Sequence, residues 1–218
     1  MNIAVVTPIK GDRPNFLHAL NRMLDEQTIQ PDTHIVVDDK HESVCADVTW
    51  RYRIGIGRAL KAGADFILFM EDDDWYSPMY IQKMAMRWVE VGTPKLFGIE
   101  DTVYYHIRYG KYRHLVHPLR ASMMSTAISK DFHTTYCADN NPFLDLHFWR
   151  STPRLGKVTV LFEERICLGI KHGLGAVAGG AHKGSGTWYN QGNVDTDGSY
   201  LKSLVSDELL TFYNNLKI

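Results

Sequence analysis

The sequence has little of what would mark it for a membrane, for nucleic acid as a whole, or for a disulfide scaffold. Its 218 residues include three cysteines, Cys45, Cys137 and Cys167, far apart and without a CxxC pair. An odd, scattered set excludes a disulfide framework and a zinc knuckle, and fits three semi-buried thiols in a reducing cytoplasm. Neither sign of charge is in excess: 24 Lys and Arg stand against 25 Asp and Glu, a formal net charge of −1. Any attraction to an anion must therefore be a local patch. No apolar run approaches the roughly 20 residues that span a bilayer. The opening stretch MNIAVVTPIKG has no basic n-region, and its apolar run is too short for a signal peptide. Internal repeats and a disordered linker are also missing, so one domain over 1–218 is expected, with 44% hydrophobic residues to fill its core.

What is there alternates between two periodicities. IAVVTP, Ile3 to Pro8, is a β-branched apolar run ended by proline and reads as a buried strand. Phe16, Leu17, Leu20, Met23 and Leu24 form a helical stripe, with Asn15 as its expected cap. HIVVDD, His34 to Asp39, reads as a second strand ending in acids. Val48 to Ala64 is expected to be helical despite its glycines, DFILFM to be a strand, and Tyr80 to Val91 an amphipathic helix. Strand–helix alternation of this kind predicts an α/β fold with a mostly parallel sheet flanked by helices, in which ligands bind beyond the carboxyl ends of the strands. Three strands deliver polar groups to that edge: Thr7 to Arg13, Asp38 with Asp39, and Glu71 to Asp74.

The run FILFMEDDDWY, Phe66 to Tyr76, drives five apolar residues into four acids. Clustered carboxylates repel unless a cation sits among them or water surrounds them. A buried strand leading into the cluster favours the cation, and a hard divalent ion such as Mg²⁺ or Mn²⁺ takes oxygen ligands of this type together with water and substrate phosphates. An acidic surface turn that merely stops the strand is the bland alternative.

The second half changes character. Thr102 to Val116 reads as a hairpin around Gly110, and MMSTAISKDFHTTY as a strand and the start of a helix. Pro142 to Arg150 reads as a short helix. The span Tyr104 to Arg120 interleaves Arg108, Lys111, Arg113 and Arg120 with tyrosines and histidines and carries no acid. It suits either a hairpin whose charges face water or a surface for an anionic acceptor, nucleic acid included. The tail is rich in glycine, which permits a flexible C-terminal loop around His172 and His182. Trp75, Tyr76, Trp149 and Trp188 are either stacking surfaces for a sugar or base, or core lids.

Taken in order, IAVVTPIKGDRP, HIVVDD, GRALKAGADFILFMEDDDWYSP and FLDLHFWR resemble the successive blocks of GT-A glycosyltransferases, family 2 in particular, over roughly residues 2–150. The resemblance implies a Rossmann-like GT-A fold with a nucleotide-sugar half (1–101) and an acceptor half with a C-terminal lid (102–218). It implies transfer from a nucleotide-diphosphate sugar, a UDP-sugar above others, to an acceptor hydroxyl with Mn²⁺ or Mg²⁺. Thr7 and Pro8 would line the base and ribose, and Asp38 or Asp39 would accept from the base. Arg13, Arg58 and Lys183 would lie at the donor. Glu71, Asp72 and Asp73 fill the DxD slot, with Glu71 towards the ribose. Asp73, Asp74 and His182 would attend the metal. Asp145 would be the general base of an inverting displacement, with Asp139 as competitor. Trp75, Tyr76, Trp149, Arg108 and Arg113 are the acceptor-side candidates. The chain departs from the pattern at Glu71, where the family has Asp, and at Leu144, where it has an acid.

The resemblance leaves the acceptor open among glycans, proteins, lipid head groups and nucleic acid. Two other functions share these features. A nucleotidyltransferase also joins such a sheet to metal-binding carboxylates, but PIKGDRP is poor in the glycine that holds a triphosphate. An inert sugar- or nucleic-acid-binding module on the same scaffold is the other.

Overall fold

The structure, a computed structural model, describes residues 1–9, 13–43, 47–133, 137–173 and 192–216. Its frame is a six-stranded sheet in the order β2-β1-β3-β8-β5-β9. These strands are β1 (Ile3–Pro8), β2 (Thr33–Val37), β3 (Phe66–Phe69), β5 (Leu96–Ile99), β8 (Thr126–Ser129) and β9 (Lys157–Val160). β1 runs parallel to β2 and β3, and β5 parallel to β9, while β8 is antiparallel to both of its neighbours. Five strands thus share one direction and β8 alone is reversed, which makes the sheet mostly parallel, as the alternation predicts.

Apolar side chains leave this sheet on both sides. Ile3, Val5, Phe66 and Leu68 join one core cluster, and Ala4, Val6, Ile67 and Phe69 the other. A strand buried on both faces must be apolar at every position, which is why the sequence shows unbroken runs rather than alternation. Helices α1 (Pro14–Asp25) and α3 (Tyr80–Glu90) cover the first face through Leu20, Met23, Ile81 and Met84. Helices α2 (Val48–Lys61) and α4 (Leu144–Ser151) cover the second through Tyr52, Ile56, Phe148 and Trp149. Each large side chain so buried contributes roughly 1.5–3 kcal/mol. Gly55 lets α2 lie close on β1, since a Cβ there would stand 2.3 Å from Val6.

A second sheet, ordered β11-β7-β6-β10-β4, stands beside the first. It holds β4 (Trp75–Tyr76), β6 (Asp101–His106), β7 (Lys111–Val116), β10 (Cys167–Lys171) and β11 (Asn193–Val194). The expected hairpin is β6–β7, turned by a 3-10 segment and by Gly110 at φ +52°. The short helices α5 (Ser199–Lys202) and α6 (Asp207–Asn215) come last, with Leu201, Leu209 and Tyr213 in the first core cluster. The chain passes from one sheet to the other at the acidic turn between β3 and β4, so that turn is pinned from both ends.

Several boundaries shift from those expected. Asn15 lies inside α1 rather than capping it, because Pro14 occupies the first turn and Arg13 the cap position. α2 stops at Lys61, where Gly63 at φ +83° ends the helix. β2 ends at Val37, so Asp38 and Asp39 lie beyond the strand. After β8 a turn takes the place of the expected helix start through His133, and residues 134–136 lie outside the described set.

Candidate functional site

The carboxyl ends of β1, β2 and β3 are level, with Pro8 opposite Val37 and Val6 opposite Phe69. The residues just beyond each strand therefore arrive at one edge. After β3 the turn Glu71–Asp74 meets Arg13, at the cap position of α1. Arg13 Nη2 donates to Asp72 Oδ1 at 3.0 Å, and Nη1 lies 3.5 Å from Asp73 Oδ2. His172, just past β10, places Nε2 2.9 Å from the same Asp73 oxygen. Phe16 holds both partners: its ring packs on His172 at 4.8 Å and under the Arg13 guanidinium at 4.8 Å. Lys171 sets its ammonium 4.8 Å over the Tyr104 ring, close enough to the turn to feel Asp74, Asp73 and Glu71.

The four acids differ because their neighbours differ. Burial raises Asp72 to about 7, with the charge of Asp73 adding and Arg13 opposing. Burial opposes ionisation of Asp73 too, but His172, Lys171 and Arg13 together hold it below the usual carboxylate range. Burial and the charge of Asp73 raise Glu71, whose Oε1 accepts from the Tyr52 hydroxyl at 2.8 Å. Asp74, expected beside the metal, instead lies wholly inside, where its Oδ1 accepts the Ile170 N–H at 2.7 Å. Burial lifts its pKa well above the ordinary value. Asp74 is an anchor that ties β10 to the turn.

Asp145 sits in the first turn of α4, with its pKa raised by burial. Tyr104 feels the charges of both Asp145 and Asp74, so both lie within electrostatic reach of that ring. The competing Asp139 is engaged by Arg53, and His41 Nε2 stands 3.8 Å from it. Asp139 is thus already taken up by a cation, which favours Asp145 of the two.

The remaining expectations divide. Thr7 is fully buried and bonds His34 at 3.0 Å, and Pro8 is buried with it, so neither side chain is open to a ligand. Asp39 is held by Arg58 in a two-pronged pair at 2.7 and 3.0 Å near the end of β2, while Asp38 is exposed. Trp75, Tyr76 and Trp149 are 4%, 1% and 2% exposed and belong to the core. Their rings have no face to offer a sugar, which corrects the stacking expectation. Arg108 stands at the far tip of the hairpin, on a cavity of about 340 Å³ shared with Asp195, Lys202 and Asn214. His182, Lys183 and Trp188 lie outside the described residues.

Two site residues escaped the sequence reading. Arg51 is buried in α2 and bonds Asp47 at 2.8 Å, the Val37 carbonyl at 3.4 Å and the Ile9 carbonyl, which locks the ends of β1 and β2 together. The Asp47–Arg51 spacing of four on a helix was the available signal. The half-buried lysine Lys171 could not be told from an ordinary strand-end charge without its tertiary neighbours.

The resemblance implies a divalent cation. Among the described residues no group of three or more His, Cys, Asp or Glu side chains is arranged to hold one. The cations around Asp73 favour its charged form, and the buried Oδ2 of Asp72 accepts no bond among the described residues. Such a donor set fits an ion held by one or two carboxylates and completed by substrate phosphates and water, not a cage made by the protein alone.

No protein-family model matches the chain, and no curated protein sequence does. Solved structures do. S. aureus TarS is similar at 12% identity over 78% of this chain, with a TM-score of 0.50. The likeness spans 37% of the TarS chain. The same protein, as residues 1–349 in complex with UDP-GlcNAc, matches at 12% identity, 78% of this chain, 59% of the other and a TM-score of 0.48. A197 from STIV matches at 13% identity, 74% of this chain and 82% of the other, with a TM-score of 0.46. At such identities the TarS likeness shows the fold, an α/β arrangement with a mostly parallel central sheet flanked by helices.

Proposed function

We propose that the chain transfers a sugar from a nucleotide-diphosphate sugar, a UDP-sugar above others, to an acceptor hydroxyl. One observation carries the reading. An acidic turn at the carboxyl edge of the parallel strands is flanked by Arg13, His172 and Lys171, with Tyr104 in electrostatic reach of both that turn and the raised carboxyl of Asp145. The block resemblance supports it. So does the fold shared with TarS, a protein solved with UDP-GlcNAc bound.

In this reading Arg13 and Lys171 compensate the charge of a diphosphate at the strand ends, and Phe16 keeps Arg13 and His172 in place. Asp73, with Asp72 beside it, would hold Mn²⁺ or Mg²⁺. When bound, that ion neutralises charge on the leaving diphosphate. Asp145 takes the proton from the acceptor hydroxyl as its oxygen attacks the anomeric carbon, and the C1–O bond to the diphosphate breaks on the opposite face, inverting the centre. Burial makes Asp145 a stronger base than an exposed aspartate, and a raised carboxyl pKa is what this task needs. Asp38 and Asp39, beyond β2, remain the candidates for the base of the nucleotide, with Arg58 orienting Asp39.

The test is UDP release and product mass during incubation with UDP-GlcNAc, Mn²⁺ and a mixed acceptor library. Transfer should appear with the wild type and fall at least 100-fold with Asp145→Asn. Equal activity in the two proteins would remove Asp145 from the mechanism.

A further inference from the structure

One face of the β6–β7 hairpin lies in the core. Val103, Tyr105 and Tyr112 belong to the first core cluster and its packed fringe. The opposite face is set by register. Tyr104 pairs with Arg113 and His106 with Lys111 across the hairpin, while Gly169 and Lys171 pair with Tyr104 and His106 across β10. Directly opposed residues point to the same side of a sheet, so Arg113, Lys111 and Lys171 share the face of Tyr104. Gly169 is there to admit that ring, since a Cβ would meet it at 2.3 Å.

A fourth cation comes from the segment after β7. Ala121 packs with Trp149 of α4 against Gly98, which sets the adjacent Arg120 beside that helix. Asp145 feels the charge of Arg120 and, less strongly, that of Arg150. Arg120 Nη2 lies 2.8 Å from His117 Nε2. A guanidinium can only donate, so that nitrogen is the acceptor and the ring does not neutralise the arginine. Burial, Arg120 and Arg113 all press His117 towards its neutral form. Arg120 therefore stands beside the expected base, with Arg113 near enough to bear on the same His117, in a chain whose overall charge is close to zero. Phosphate and carboxylate match a guanidinium fork in geometry as well as sign.

We propose that Arg113 and Arg120 form a cradle for an anionic group of the acceptor, a phosphate or carboxylate borne near the hydroxyl that Asp145 deprotonates. This rests on the transfer reading for its purpose, but the anion site itself is testable without a donor. Glycerol 3-phosphate and glucuronate are titrated calorimetrically into the wild type, with glycerol and glucose as neutral partners, in the presence and absence of UDP. One or both anions should bind where the neutral compounds do not, and which one binds identifies phosphate or carboxylate as the group read. Arg113→Gln and Arg120→Gln should each weaken the anion about tenfold, with Arg120→Lys intermediate, and UDP should not displace it. The proposal is overturned if the anions bind no better than the neutral compounds, if all variants bind as the wild type does, or if UDP competes, which would make this the diphosphate site. A protein that binds the anions but no nucleotide sugar would sink the transfer reading and leave the cradle standing.

Discussion

Asp145 and Asp73 are both shielded carboxyls, yet they are shifted in opposite directions, because only Asp73 has cations in contact. That difference suits the two tasks of the proposed transfer: a raised carboxyl takes protons, while a lowered one stays charged. If Asp145 is the base, transfer requires its ionised form. The rate should therefore rise with pH through a pKa above the ordinary aspartate value, and the acid limb should vanish in the residual activity of Asp145→Asn. A limb unchanged in the variant would count against the assignment. His34 offers a second pH test, on stability. Burial lowers its pKa below 6.5, so the folded protein keeps it neutral where the unfolded chain is already protonated. The unfolded state then binds more protons, and stability should fall as pH drops from about 6.5 towards the lower folded value. His34→Gln should flatten that part of the urea-unfolding profile, and an identical slope in both proteins would contradict the account.

Among the elements, β10 does the most for the site. It carries Lys171, leads into His172, pairs with both β4 and β6, and is tied to the acidic turn by Asp74. Because burial favours the protonated form of Asp74, its worth lies in accepting the Ile170 N–H rather than in charge. Asp74→Asn should therefore be nearly neutral in urea unfolding. Asp74→Leu should cost about 1–3 kcal/mol through an unpaired buried amide. Equal losses in both variants would mean that the negative charge itself is needed. Gly169→Ala should also destabilise, by roughly 1–3 kcal/mol, because its methyl group would collide with Tyr104. A neutral result in thermal unfolding would show that the ring yields. This strand shows why the second half was hard to read. CLGIK is short, with a glycine at its centre explained by a ring 65 positions earlier in the chain. IAVVTP, by contrast, announces itself, since burial on both sides demands apolar residues throughout.

For the whole molecule, the legible part was the layout of β1, β2 and β3 with α1, α2 and α3, and hence the edge at which the acids meet. Periodicity reports which residues are buried, and burial decides layered α/β folds. The strands β5, β9 and β10 were not read, since a glycine interrupts LFGI and CLGIK and KVTV is mostly half-buried, so none shows the unbroken β-branched apolar run of β1. Partner choice at the site was less visible, because charges converge through tertiary contacts. His172, which the sequence offers only as part of a glycine-rich tail, is placed on Asp73. The aromatic residues after the acids look like a sugar platform in one dimension and prove to be core in three. What unites the site is a charge balance: an acidic turn set against Arg13, His172 and Lys171 at the carboxyl edge of a mostly parallel sheet. The most direct measurement of that claim is calorimetric titration of UDP-GlcNAc, with UDP-, GDP- and TDP-sugars beside it, into wild type and Asp73→Asn in the presence of Mn²⁺. Saturable binding of a nucleotide sugar, weakened at least tenfold by the substitution, is the expected result. No binding across the panel, or equal binding by both proteins, would contradict the account.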